Sequence, residues 1–196
     1  MRQQSKKRVG APNIALSDFI APKASGRSDY MGAFCIAIFG ADALAKKYKD
    51  AHDDYNAIMA QALADRFAEA FAEYLHKKVR PQHWAYASQE DLSNDELIKE
   101  TYKGIRPAPG YPACPDHLEK KTIWKLLDVE KRIGVTLTDS MAMWPAAAVS
   151  GYYFANAEAR YFGLGKITED QIEDFAHRKG IEIEVAKKWL HPVIAN

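Results

Sequence analysis

The sequence predicts an α+β domain: a twisted antiparallel sheet with a hairpin, flanked by helices that include one long alanine-rich helix. Three observations carry that prediction. A short apolar run within Asp29–Gly40 has the length of a strand, a helical pattern follows from about Ala41 to Val79, and strand-like segments return after Gly134. Helices packed on a small antiparallel sheet are a stable way to bury such a set of elements.

The apolar run contains Phe34, Ile36, Ile38 and Phe39 without a polar interruption, as expected of a strand buried on both faces. In the helical region, Tyr55, Met59, Leu63, Phe67, Phe71 and Leu75 recur at steps of four, which predicts a packing stripe on one face. Neither Gly nor Pro interrupts that region before Pro81. Asp53 and Asp54 beside His52 place negative charge where a helix N-terminus favours it. Ser93 with Glu96 forms a capping-box pattern, Leu92 and Leu97 a hydrophobic staple, and Gly104 a stop. Asp116 with Glu119 starts a second helix, whose Ile123, Leu126, Leu127 and Glu130 run toward Gly134. Thr168 with Gln171, stapled by Ile167 and Ile172, starts a third that ends near Gly180, and Val185–Leu190 forms a last helix before Pro192.

Between these helices, Val135–Thr138 alternates in the manner of a half-buried strand. Val149–Leu164 reads as a hairpin, with Tyr152-Tyr153-Phe154 and Tyr161–Leu164 on either side of a polar turn. The small residues Ala146 to Ser150 suit either close ligand approach or tight packing under a helix. Met141–Trp144 reads as core or strand packing. The whole chain, 1–196, reads as a single domain with residues 1–12 flexible.

Bulk properties exclude several function classes. With 196 residues, 27 basic and 26 acidic groups and a net charge of +1, the chain has no electrostatic footprint for nucleic acid or anionic lipid. No apolar segment is long enough to span a membrane; Gly32–Gly40 is far too short. The basic start Met1–Arg8 lacks the apolar core of a signal peptide. Two distant cysteines, Cys35 and Cys114, suit a reduced, cytoplasmic chain.

The segment with most chemical content is Arg106-Pro-Ala-Pro-Gly-Tyr-Pro-Ala-Cys-Pro115, with four prolines and one glycine between two helices. Each proline fixes its own φ and biases its predecessor toward extended backbone, so the loop is rigid. Arg106 can grip a carboxylate with a two-pronged fork. Gly110 permits a left-handed backbone or close approach, and Tyr111 offers a ring face to a cation or flat ring. The loop runs into a helix start, where free amides favour anions. On these grounds it is either a rigid connector or a carboxylate site.

The run Gly104–His117 resembles the signature of the activation domain of cobalamin-dependent methionine synthase. The resemblance extends over nearly the whole chain through Asp18–Lys23, His52–Asn56, Ala68–Tyr74, Met143–Pro145 and Gly151–Phe162. It implies a module that binds S-adenosylmethionine and supports reductive methylation of cob(II)alamin to methylcobalamin. The electron would come from flavodoxin or a similar flavoprotein, and the cobalamin would be bound by a separate domain. It implies that Arg106 meets the ligand carboxylate and that Ala108, Gly110 and Tyr111 line the site. Tyr161 and Phe162 form a second contact segment, and Glu100 and Glu69 match acidic positions nearby. No residue is implied as general acid or base, because the corrin supplies the reactive centre. The family's domain extends further at its N-terminus, where an acidic residue joins the site, so the resemblance implies a partial domain and a half-site. The alternative is a non-catalytic docking fragment for a corrinoid protein or flavodoxin.

Other constellations carry less. Cys114-x-x-His117 has metal-ligand spacing without the four ligands a zinc site wants. Glu73-x-x-His76 echoes a di-iron bundle motif but lacks its partners, which leaves a solvated helix face as the simpler reading.

Overall fold

The computed structural model describes residues 1–4 and 10–195; positions 5–9, within the tail expected to be flexible, lie outside the described residues. The fold is α+β, with short strands and predominantly helical packing. It divides into two compact units. One comprises Met1–Gly32, Gly104–Glu119 and Tyr152–Asn196, the other Ala33–Lys103 and Lys120–Gly151.

In the second unit, strand β1 spans Gly32–Ala37. Its burial alternates, with Phe34 and Ile36 inside and Phe39 beyond it 55% exposed. The run is therefore covered on one face, not two. The expected helix from Ala41 to Val79 is two helices, α1 over Ala41–Asp50 and α2 over Asp54–Lys78. His52 adopts a left-handed φ of 56° between them, and the Asp53 carboxylate caps α2 by accepting from the Asn56 amide at 3.0 Å. Neither Gly nor Pro marks the break, but the Asp53–Asp54 pair expected at a helix N-terminus stands there. At the far end, Pro81 cannot donate to the helical ladder, and the chain widens into a π-turn over Val79–His83.

The face that α2 buries is not the predicted one. Ala57, Ala64, Ala68 and Ala72 are inside, with Ala64 and Ala68 packed on Ala147, Val149 and Ile38. Small side chains let the backbones approach closely, which also decides the role of the small-residue run near Ala147. The large residues of the stripe point outward: Tyr55 is 72% and Phe67 61% exposed. Phe67→Ser is accordingly expected to change unfolding free energy by no more than about 0.5 kcal/mol. Ala68→Leu should cost about 1–3 kcal/mol by overpacking. Urea titration of both variants checks this, and a larger loss from Phe67→Ser would contradict it.

Helix α3, Asn94–Ile98, starts with the predicted Ser93–Glu96 capping box. It stops well before Gly104, where Glu100 turns left-handed at φ 54°. The helix expected to run from Asp116 to Gly134 is also broken. α4 spans Glu119–Leu127 and α5 spans Val129–Ile133, with Asp128 at φ 50° between them and Gly134 as the predicted stop. β2, Thr136–Leu137, pairs antiparallel with β3, Met143–Trp144, and Met141 is buried as expected. β4, Ala148–Tyr153, pairs with β1.

His76, expected on a solvated face, is fully buried. Its Nε2 lies 3.3 Å from the Tyr86 hydroxyl and its ring meets Tyr102 edge-on at 5.0 Å. Arg80 is also fully buried. It donates from Nε to both Glu90 oxygens at 2.8 and 2.9 Å, and its guanidinium stacks on Tyr102 at 4.2 Å.

In the first unit, α6 spans Glu169–Lys179 and α7 spans Ile183–Leu190. Ile172 and Phe175 of α6 pack on Ala186 and Leu190 of α7, closed by Leu164 and Ile167. Gly180 ends α6 as predicted, at φ 65°. The Thr168–Gln171 box does not form, because the chain start takes both partners. Gln4 Oε1 accepts from the Thr168 amide at 2.7 Å, and Gln171 bonds the backbone of Arg2 through its Oε1 and Nε2. The hairpin expected over Val149–Leu164 is absent as well. Its second arm is not a strand, and the Leu164 amide bonds to Pro112 O at 2.8 Å instead of to β4.

Candidate functional site

The proline-rich loop is pinned at its entry, centre and exit within the first unit. Ile105 forms a reciprocal bridge with Phe154, with N–O distances of 3.0 and 2.9 Å, and Pro107 O accepts from the Tyr152 amide at 3.0 Å. Inside the loop, Gly110 N donates to Cys114 O at 2.7 Å and Cys114 N to Tyr111 O at 2.9 Å. These bonds close a tight turn whose corner is Gly110, at φ 93°. A Cβ on Gly110 would lie 2.2 Å from Cε1 of His117. Only glycine satisfies both the backbone angle and that contact. Proline rigidity read from sequence is thus reinforced by long-range backbone bonds.

The second predicted segment reaches the first. The Arg106 amide donates to the Tyr161 hydroxyl at 3.0 Å, across 55 residues of sequence. Phe162 lies on the inner side, edge-on to Phe19 at 6.4 Å, while Tyr161 is partly exposed and Tyr111 60% exposed. Arg106, Ala108, Gly110, Tyr111, Tyr161 and Phe162 therefore belong to one unit. Glu69 and Glu100 belong to the other, where Glu69 is exposed on α2 and Glu100 is exposed after α3.

Behind the loop stands a charged group that sequence reasoning did not assemble. Asp116 is 1% exposed; its Oδ1 accepts from the Leu118 amide at 2.8 Å, and Lys179 Nζ lies 3.2 Å from its Oδ2. Lys179 also donates to Glu119, whose other oxygen accepts from the Tyr152 hydroxyl at 3.0 Å. Tyr152 thus holds the loop entry through its amide and the loop exit through its hydroxyl. Asp116 and Glu119 were legible as helix-start residues, but Lys179 and Tyr152 carry no local signal of this role.

Electrostatics follow from that geometry. Burial, then the Glu119 charge, raises the Tyr152 hydroxyl above the ordinary tyrosine range. Burial, then the Glu119 and Asp116 carboxylates, pushes the Cys114 thiol up to about 12. It stays protonated at neutral pH, a poor nucleophile and a poor metal ligand. Burial alone would lower Lys179, yet its hydrogen bond to Glu119 and the Asp116 charge outweigh burial and raise it. A cation with a raised folded-state pKa stabilises fully below its unfolded value and loses that contribution as pH rises through the folded one. Lys179→Met is therefore expected to cost about 1.5–3 kcal/mol at pH 7. Urea titrations of both proteins should show the gap closing above pH about 10.5; a gap that widens there would contradict this charge assignment.

Arg106, the Gly110 corner, Tyr111 and Tyr161 thus share one stiff frame. Residues of these types suit a carboxylate and a flat or cationic group, and Cys114 supplies no thiolate.

Comparison with known proteins gives the same direction. The family model for the activation domain of vitamin B12 dependent methionine synthase matches residues 1–180. A crystal structure of the MetH reactivation domain bound to AdoHcy is 55% identical, with a TM-score of 0.97, over 100% of this chain and 60% of that one. The chain thus spans about 60% of the length of that solved relative.

Proposed function

Because the chain belongs to the family of vitamin B12-dependent methionine synthase activation domains, we propose that it binds S-adenosylmethionine at the Arg106–Pro115 loop and serves cobalamin reactivation. The observation that carries this reading is the 3.0 Å tie between the Arg106 amide and the Tyr161 hydroxyl. It brings the two ligand segments implied by resemblance onto one frame. The solved relative is described as bound to AdoHcy, the product left when S-adenosylmethionine gives up its methyl group.

The residues fit the ligand's chemistry. Arg106 supplies the charge-assisted fork for the methionine carboxylate. Gly110 and Ala108 offer backbone at close range, and the ring of Tyr111 or Tyr161 provides a π face for the sulfonium. A sulfonium methyl must be kept from stray nucleophiles, and Cys114 meets that need by remaining protonated. Glu100 and Glu69 enter the proposal through the family resemblance alone.

When docked, the reduced corrin cobalt on a separate cobalamin-binding domain would supply the nucleophile that takes the methyl cation, after one electron from flavodoxin or a similar flavoprotein. This chain's residues bind and orient the donor. They need move no proton.

Calorimetry with S-adenosylmethionine tests the reading. Arg106→Ala should weaken binding by about 1.5–3 kcal/mol, roughly ten- to a hundredfold, as for loss of a charged hydrogen-bond pair. Unchanged affinity would reduce Arg106 to a connector residue. Tyr161→Ala should also weaken binding, since it removes both a ring and the Arg106 tie, and retained affinity would remove that segment from the site.

A further inference from the structure

Tyr152 ties both ends of the Arg106–Pro115 loop. Its amide donates to Pro107 O at 3.0 Å near the entry, and its hydroxyl donates to Glu119 Oε2 at 3.0 Å just past the exit. The residue is buried, so water competes weakly for that second bond. Lys179 holds Glu119 from the other side, donating to its Oε1 and lying 3.2 Å from Asp116 Oδ2. Lys179 is the last residue of α6, and α6 is anchored through Ile172 and Phe175 in the core it shares with α7. The loop exit is thus fixed to a helical core, and Tyr152 carries that fixation back to the loop entry. All of these residues lie in the first unit.

A loop that already has its bound shape binds more tightly, because less ordering is lost on association. Prolines stiffen the loop from within by fixing their own φ, but they do not set the span between its ends. That span is set by the bonds of Tyr152 to Pro107 and Glu119, with Glu119 braced by Lys179. From this we infer that Tyr152 and Lys179 are positioning residues, acting through Glu119 to hold the loop in its ligand-binding shape. Neither needs to touch the ligand. Their effect on affinity rests on the S-adenosylmethionine reading, whereas their effect on the free loop does not.

Hydrogen exchange in the ligand-free chain reads the loop at the Gly110 and Cys114 amides, which close its central turn, and at the Leu164 amide, which bonds Pro112 O. Tyr152→Phe keeps the ring and the Pro107 bond and removes only the hydroxyl. It should speed exchange at these amides at least fivefold while leaving those within α6 unchanged, and Lys179→Met should do the same. Calorimetry with S-adenosylmethionine should show affinity falling about tenfold in each variant. Tyr152→Phe combined with Glu119→Ala should lose no more than Glu119→Ala alone in either readout, since both remove the same bond. Ile172→Val is the control for a purely structural role. It trims the α6–α7 core away from the loop and should leave both readouts within twofold. Unchanged loop exchange in Tyr152→Phe, additive losses in the double variant, or equal losses from Ile172→Val would each overturn the proposal. If the native chain binds no S-adenosylmethionine, the ligand reading fails, while loop exchange still decides whether Tyr152 and Lys179 hold the loop.

Discussion

Gly110→Ala is expected to weaken S-adenosylmethionine binding at least a hundredfold, about 2.7 kcal/mol, in a chain that still folds. Two penalties act together. The residue sits at φ 93°, where an L side chain costs roughly 1–2 kcal/mol. Its new Cβ would lie 2.2 Å from the His117 ring, so the imidazole or the turn must move. Moving the turn breaks the Gly110–Cys114 bond that shapes the loop. Calorimetry on the variant, with circular dichroism to confirm the fold, checks this. Adding His117→Ala should recover part of the loss by removing the collision but not the backbone strain. Affinity within twofold of the native chain would show that the loop corner does not shape the site.

Arg80→Met is expected to lower unfolding free energy by about 3–5 kcal/mol, since it leaves a nearly buried carboxylate uncompensated. That is a large share of the stability of a typical domain. Arg80 has no exposed surface, and the Glu90 side chain is 9% exposed. The substitution also removes the guanidinium stacked on Tyr102. Replacing both partners, Arg80→Met with Glu90→Met, should be less damaging than Arg80→Met alone, because no lone buried charge remains. Chemical denaturation of the three variants decides it; a loss under about 1 kcal/mol for Arg80→Met would contradict a buried, paired role.

The sequence signals that succeeded were local and stereochemical. Ser93 with Glu96 forms its box, and Gly134 and Gly180 end helices at positive φ. Each depends on neighbours a few residues away. The break at Asp128 escaped because an ordinary residue there adopts a left-handed angle, whereas the Asp53–Asp54 pair already marked a helix start beside His52.

Face assignment on α2 failed for a different reason. Periodicity ranks large apolar residues as the buried set, but the alanine row lets α2 approach Ala147 and the large residues are left outside. The hairpin failed because two aromatic clusters flanking a polar turn have the pattern of paired strands. In the fold, Leu164 bonds Pro112 and β4 pairs with β1.

The site was legible unevenly. Loop rigidity and the Arg106 cation follow from residue type alone. Placing Tyr161 beside Arg106 needed the family resemblance, because 55 residues separate them. Lys179 and Tyr152 escaped both routes: one is a helix-end lysine in sequence and the other looks like a strand aromatic. Only the three-dimensional arrangement shows them gripping Glu119 at the loop exit.

A map of backbone amide chemical shifts during titration with S-adenosylmethionine tests whether the proline-rich loop holds the ligand. Saturable shifts are expected at Arg106, Ala108, Gly110 and Tyr111, with a second group at Tyr161 and Phe162. Saturable shifts confined to other segments, or none at millimolar ligand, would contradict it.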